Sequence, residues 1–384
     1  MPSVSFLVPT LGSPVLGPVT VLGRILARHL PVQIVGPDLG DGVCAMYRGA
    51  FDYTVVPAPR MYRVPEYWRD ARRLAAAVTG DIVVAVKATA QTLPVAWRVR
   101  RDRGAKVVAY LDEWDGALTA RLTPAQRAAR WLRHWQHPGD EVYIPRWERR
   151  IAACDAVVST TTFLQRRFGG RIIQMGVDPD DFAPRPAEEI AATRAALGLH
   201  DHRVVVFGGV VRPHKGIELI LEALARLADP RALLLIIGPE NEHVRALAAQ
   251  PRFAPHLRCL GAQPRERMPA LLGIGEVTVQ PLRDDPLAQS QMPCKVFEAM
   301  AMALPVIASS VADLPRVLAG GCGWVVPPDD PAALAERLAW VFAHPEAARE
   351  TGLRARARCV ERYSRSVTEK QLLALVHELG TARS

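Results

Sequence analysis

Cysteine is scarce and unclustered in this chain of 384 residues: six residues, at 44, 154, 259, 294, 322 and 359, and no C-x-x-C pair. That excludes a zinc ribbon or dithiol chemistry and leaves reduced core or surface thiols, as in a cytoplasmic protein. Long apolar runs are missing too. Stretches such as ALLLIIG at 232–238 fall far short of the roughly 20 residues that span a bilayer. The opening MPSVSFLVPTLG has neither a basic n-region nor an apolar h-region, so no targeting segment is expected. There is no short-period repeat, no low-complexity tract and no zinc-finger or RRM signature. The 48 Lys and Arg exceed the 39 Asp and Glu, for a net charge of +9. Such a balance suits phosphorylated small molecules, an anionic membrane surface or nucleic acid. The arginines are spread along the chain without a nucleic-acid motif, so nucleic acid is not an expected partner.

What is present is an alternation. Short apolar runs (VSFLVP, VQIVG, DIVVAVK, KVVAYL, AVVST, RIIQMG) are interleaved with helical patterns such as TVLGRILARHL and TLPVAWRVRRDRG. This order predicts parallel strands with helical crossovers. The stretch GVDPDDFAPRPAEEIAATRAALGL, 176–199, interrupts the series with acidic residues and Pro179, Pro184 and Pro186. A second series follows from RVVVFGG to PAALAERLAWVFAHP. The fold class expected is α/β, two Rossmann-like doubly wound sheets facing each other across a cleft: residues 1–184, residues 185–365, and a C-terminal helix, 366–384, returning to the first.

In such sheets ligands gather outside the carboxyl ends of the strands, where FGGVVRPHKG, IIGPENE and QPLRDDPLAQSQMPCK fall. In the first, Gly208 and Gly209 let backbone approach a ligand, and Lys215 and Gly216 open the next helix beside Arg212. Glycines, two cations and a helix N-terminus make a diphosphate site or, alternatively, a solvated basic turn; the spacing is not that of a Walker loop. Glu298, near a helix start in SQMPCKVFEAMAMALPVIAS, suits a pair of ribose hydroxyls, a local N–H cap, or a plain exposed helix-start glutamate.

FGGVVRPHKG, LLLIIGP, LRCLG, MPALLGIGEVTVQPL, KVFEAMAMALPVIAS and GGCGWVVPPDDPAALAERLAWV, in that order from about Val204 to Phe342, resemble the nucleotide-sugar domain of family 4 glycosyltransferases, retaining enzymes of GT-B fold. PTLGSPVLGP with Gly12, CDAVVSTTTFLQRRFG and IIQMGVDPDDF are weaker matches in the N-terminal half. The resemblance implies a nucleotide sugar, a UDP-sugar, as co-substrate, with no metal or other cofactor. Lys215 and Arg212 would hold the diphosphate, with Lys295 of PCKVFE a further cation or a surface ion-pair lysine. Glu298 would hold the ribose, and Leu260 and Gly261 the base. The family's first glutamate, which touches the donor sugar, falls on Ser290, a departure that blurs the choice of sugar. The acceptor implied is a small molecule, glycan or lipid-linked hydroxyl. Nucleotide-sugar epimerases or glycogen-synthase-like polymerases of the same fold, and a catalytically silent binding subunit, are the alternatives.

A second departure follows KVVAYL, where the family commonly has a histidine and this chain has Asp112, with Glu113 and Asp115 close by. These either orient the acceptor or are solvated loop charges. Finally, TPAQRAARWLRHW reads as a helix capped by Thr123 with Pro124 at its first position, and Ala128, Trp131, Leu132 and Trp135 on one face. It is expected to pack on the first domain. The other reading is a lip touching an anionic membrane or lipid acceptor, peripheral at the inner membrane surface.

Overall fold

A computed structural model describes residues 2–381, with the backbone alone at Leu118. The chain divides into two compact units, one running to Met175 and resuming at Thr368, the other Gly176–Val367.

The first unit holds a seven-stranded sheet: β1 (Val4–Leu7), β2 (Val32–Asp38), β3 (Tyr53–Pro57), β4 (Ile82–Val86), β5 (Lys106–Leu111), β6 (Ala156–Ser159) and β7 (Arg171–Ile172), ordered β3-β2-β1-β4-β5-β6-β7. The second holds six: β8 (Arg203–Gly208), β9 (Ala232–Ile237), β10 (Leu257–Cys259), β11 (Val277–Gln280), β12 (Val306–Ser309) and β13 (Trp324–Val326), ordered β10-β9-β8-β11-β12-β13. Adjacent strands pair in parallel in both sheets.

Helices cover both faces of a parallel sheet, which is why the central strands are apolar throughout rather than alternating. All six residues of β9 are buried. Along β8 the side chains divide by face: Val204 and Val206 join Val296 and Met300, whereas Val205 and Phe207 join Ile217 and Ile220. The expected α/β class, two Rossmann-like parallel-sheet units, is the architecture found.

Among the elements that escaped the sequence reading are β3, the long helix Pro345–Tyr363 and, in the first unit, the helix Glu66–Ala77. That first-unit helix is anchored by buried Tyr67, whose hydroxyl donates to the Ala90 carbonyl at 2.7 Å. The division between units falls after Met175 rather than at 184. Val177 donates its N–H to Tyr363 and accepts from Arg365, and Phe182 is buried in the second unit's core. The last helix, Arg365–Thr381, sets Leu372, Leu375, Val376 and Leu379 among Val4, Phe6 and Val84 of the first unit.

Candidate active site

Strand order reverses between β8 and β11, so their carboxyl ends diverge into the loops that carry the sequence-predicted donor residues. Gly209, directly after β8, has φ +99, and a Cβ there would stand 2.6 Å from Cε and 2.7 Å from Nζ of Lys295. Only glycine lets this lysine lie against the loop. The Lys295 ammonium also rests 4.4 Å from the centroid of the Phe207 ring.

Lys215 ends a short 3₁₀ turn, Pro213–Lys215, and Gly216, at φ +62, leads into the helix Ile217–Leu227. A Cβ on Gly216 would meet the Pro281 carbonyl oxygen at 2.2 Å, so the turn is seated on the loop after β11. From it Lys215 donates to Gln291 Oε1 at 3.1 Å. Burial, and then the nearby charge of Lys215, push the Lys295 amine down to about 7. Two cations held close in a desolvated corner are electrostatically costly alone and well matched to a diphosphate.

Glu298 is the fifth residue of the helix Cys294–Ala301, beyond its first turn, so the helix-start and N-cap readings lapse. Burial pushes its carboxyl up, opposed by Arg265, 4.0 Å away, and by Lys295. Arg212 is exposed; its carbonyl accepts from Lys215 N–H at 2.9 Å, and its charge is among those lowering Lys295. Ser290 is fully buried, with Oγ donating to the Leu287 carbonyl at 2.7 Å. Leu260 donates its N–H to Ile236, and Gly261, at φ +71, bridges Gly238. A Cβ on Gly238 would in turn meet the Gly209 carbonyl oxygen at 2.2 Å, so the loops after β8, β9 and β10 stack backbone on backbone. Lys215, Lys295, Glu298, Gly209 and Gly261 therefore belong to one loop cluster.

Sequence reasoning passed over Gln280, 1% exposed at the end of β11, whose two side-chain amide atoms find no hydrogen-bond partner among the described residues. Its signal was its place: a polar residue closing an apolar strand.

In the first unit the order reverses between β1 and β4. Gly12, after β1, donates its N–H to Thr10 Oγ1 at 3.1 Å, and Asp41 Cβ lies 3.0 Å from where a Cβ would stand. The second residue missed is Lys87, which ends the run DIVVAVK and follows β4 at φ +64. Its amine lies 2.7 Å from Asp115 Oδ1 and 3.9 Å from Asp112 Oδ1, and also pairs with Glu113. Burial works against the Lys87 charge, but the three carboxylates outweigh it and hold its pKa above the ordinary value. Burial pushes the Asp112 carboxyl up to about 6, with Lys87 opposing and Glu113 and Asp115 reinforcing the rise. The three carboxylates are thus an ordered set on one lysine rather than solvated loop charges.

The helix Pro124–His134 forms with the expected cap: Gln126 N–H donates to Thr123 Oγ1 at 3.2 Å, and Gln126 Oε1 accepts from Thr123 N–H at 2.9 Å. Its expected packing does not occur. No residue of the helix is buried, and Trp131, Leu132 and Trp135 are all exposed. Polar contacts hold it instead, Arg130 to Asp140 at 2.9 Å and to Glu141 at 3.0 Å.

No helix among the described residues is long and apolar enough to cross a membrane. Comparison with known proteins agrees with the geometry. Residues 189–358 match the family model "Glycosyl transferases group 1". The chain is 31% identical over 215 residues to D-rhamnosyltransferase WbpZ of Pseudomonas aeruginosa, covering 55% of this chain and 54% of that protein. It is 26% identical over 195 residues to alpha-D-kanosaminyltransferase of Streptomyces kanamyceticus, covering 50% and 49%. The chain thus spans about half the length of the curated relatives it matches. Among solved structures, Anabaena Alr3699/HepE in complex with UDP-glucose shares the fold at TM-score 0.75 and 17% identity, covering 98% of this chain and 100% of that one. WaaG, a glycosyltransferase involved in lipopolysaccharide biosynthesis, does so at 0.70 and 16%, covering 96% and 98%. A lysine-lined loop cluster on a parallel sheet, a family match at residues 189–358 and a fold shared over nearly the full length with Alr3699/HepE and WaaG make this chain similar, across its second unit, to the glycosyl transferases group 1 family.

Proposed function

We propose that the protein is a retaining glycosyltransferase, working without a metal or other cofactor, that moves a sugar from a UDP-sugar to an acceptor hydroxyl. The observation that carries this reading is the pair Lys215 and Lys295 held in the glycine-lined corner after β8, with the Lys295 amine depressed to about 7. A diphosphate there would relieve the mutual repulsion of the lysines, and Arg212 would add a third cation from the surface. Preorganised positive charge acts where the leaving diphosphate gains charge as the anomeric C–O bond breaks. Glu298 would accept hydrogen bonds from the ribose hydroxyls, and the backbone at Leu260 and Gly261 would meet the base. The uridine preference is supported by the fold shared with Alr3699/HepE, whose structure holds UDP-glucose.

The first unit would bind the acceptor, a small molecule, glycan or lipid-linked hydroxyl, with Asp112 orienting that hydroxyl. The oxygen bonds to the anomeric carbon, the C–O bond to the diphosphate breaks, and the acceptor proton passes to the departing phosphate oxygen on the same face. The cysteines, scattered along the chain and without a C-x-x-C pair, suit a reducing, cytoplasmic setting.

The test is Lys215→Ala assayed at saturating donor across a panel of UDP-, GDP- and dTDP-sugars. We expect kcat to fall on the order of 10²-fold with an unchanged melting temperature. Turnover within a few fold of wild type would refute the phosphate assignment. Ser290, buried and hydrogen-bonded where the family has a sugar-contacting glutamate, favours a second reading, a silent nucleotide-sugar-binding subunit. Tight UDP binding with no donor hydrolysis and no transfer would establish that reading instead.

A further inference from the structure

We propose that the face formed by the helix Pro124–His134 and the adjoining segment 60–73 docks on an anionic lipid surface. The helix and the residue that follows it project Trp131, Leu132 and Trp135, exposed by 49%, 67% and 57%, and none of them is buried to hold the helix in place. That work falls to polar groups: the Arg130 ion pairs, Arg127 donating to the Thr119 carbonyl at 3.2 Å, and the Tyr143 hydroxyl donating to the Trp135 carbonyl at 2.9 Å.

The apolar face continues into the neighbouring segment. Val64 N–H donates to the Gln136 carbonyl at 2.8 Å, and the Tyr62 ring stacks on His137 with centroids 6.2 Å apart. Tyr62 is 49% exposed, and Trp68, one helical turn beyond Val64, is 59% exposed. Four exposed aromatic side chains and a leucine thus occupy joined segments of a chain that is only 6% aromatic overall.

Charge selects the partner. Residues 60–73 and 121–141 carry nine arginines against Glu66, Asp70, Asp140 and Glu141, a local balance of +5 with histidine neutral. Asp70 is buried and paired with Arg69 and Arg73, Glu66 with Arg60, and Asp140 and Glu141 with Arg130, so the excess positive charge rests on the arginines outside those pairs, Arg63, Arg72, Arg121, Arg127 and Arg133. Arg72 and Arg133 are exposed beside the aromatic residues. An acidic macromolecule in water would take the charge but offer no apolar medium for Leu132 and the tryptophans. An anionic bilayer surface accepts both: indole rings settle at the headgroup level, and arginines gain from the negative surface potential. The helix is short and polar on its other sides, which fits lying in the interface rather than crossing it.

The test is sedimentation of the full chain with phosphatidylcholine vesicles, with and without about one-third phosphatidylglycerol. The variants are Trp131→Ser combined with Trp135→Ser, and Arg133→Glu combined with Arg72→Glu. We expect wild type to sediment with the anionic vesicles only. Each double variant should weaken that partitioning about tenfold or more, with the melting temperature unchanged because these side chains are exposed. Absence of binding to the anionic vesicles would overturn the proposal, as would retention of wild-type binding by the tryptophan variant. Concentration-dependent dimerisation abolished by the same variant, without vesicle binding, would also overturn it and assign the face to a second copy of the chain.

Discussion

If the corner that holds Lys295 binds the proposed diphosphate, nucleotide affinity should depend on pH. At neutral pH about half of this lysine is uncharged, because burial and Lys215 bring it from 10.5 down to about 7. A bound diphosphate supplies the opposite charge that the corner lacks, so the protonated form is the one that binds well. The sign follows by linkage: the complex holds more protons than free protein whenever pH exceeds about 7, so UDP affinity must fall as pH rises. Each pH unit above that point, until the amine of the complex begins to titrate, should cost about tenfold in affinity, on the order of 1.4 kcal/mol. Titration calorimetry with UDP in buffers of different ionisation enthalpy measures both the affinity and the proton uptake. Lys295→Met is the control, since it leaves any titration of UDP itself in place while removing the amine. A wild-type profile as shallow as that of Lys295→Met, or proton uptake equal in the two proteins, would refute the placement of a diphosphate beside Lys295.

Asp112→Asn should abolish most transfer while leaving UDP affinity within about twofold, because its partners Lys87, Glu113 and Asp115 all belong to the first unit. With the carboxyl pushed up to about 6, the wild-type rate should fall as pH drops through that value and the carboxylate is protonated; an acid limb persisting in Asp112→Asn would assign it elsewhere. Glu298→Gln should raise the donor KM about tenfold by losing charge-assisted bonds to hydroxyls, and an unchanged KM in steady-state assays would remove Glu298 from the ribose. Gly216→Ala forces a Cβ to 2.2 Å from the Pro281 carbonyl at a left-handed φ of +62. It should cost about 1–3 kcal/mol. Calorimetry should show a melting temperature lower by several degrees, and an unaltered one would contradict the close seating of this turn.

Much of this protein was legible from one dimension. Apolar runs such as VVVF and ALLLII, spaced by helical segments, can be buried on both faces only in parallel sheets, so two open α/β units followed from pattern alone. Gly209 and Lys215 stood out as candidates for a related reason, since they follow the carboxyl end of β8, where such sheets gather their ligand loops, whereas Glu298, inside the helix Cys294–Ala301, was marked by the resemblance to family 4 glycosyltransferases. β3 was not, because its five residues, YTVVP, run into a proline-punctuated loop and carry little of the length or pattern that marks a strand.

What only the tertiary structure decided is pairwise. Nothing local in VAVK sets Lys87 against three carboxylates of the following loop; that requires β4 and β5 to lie side by side. Nothing in PCKVFE depresses Lys295; that takes the loop after β8 closing over it and Lys215 brought near by the seat of Gly216 on Pro281. The sequence also suggested, by amphipathic spacing, that Trp131 and Trp135 face a core. Periodicity shows only that apolar side chains share a side, and whether another surface covers that side depends on where the rest of the chain goes. Secondary structure and strand-end chemistry follow from short-range pattern, whereas burial, pKa and exposure are sums over neighbours distant in sequence, and only the folded chain brings those neighbours together.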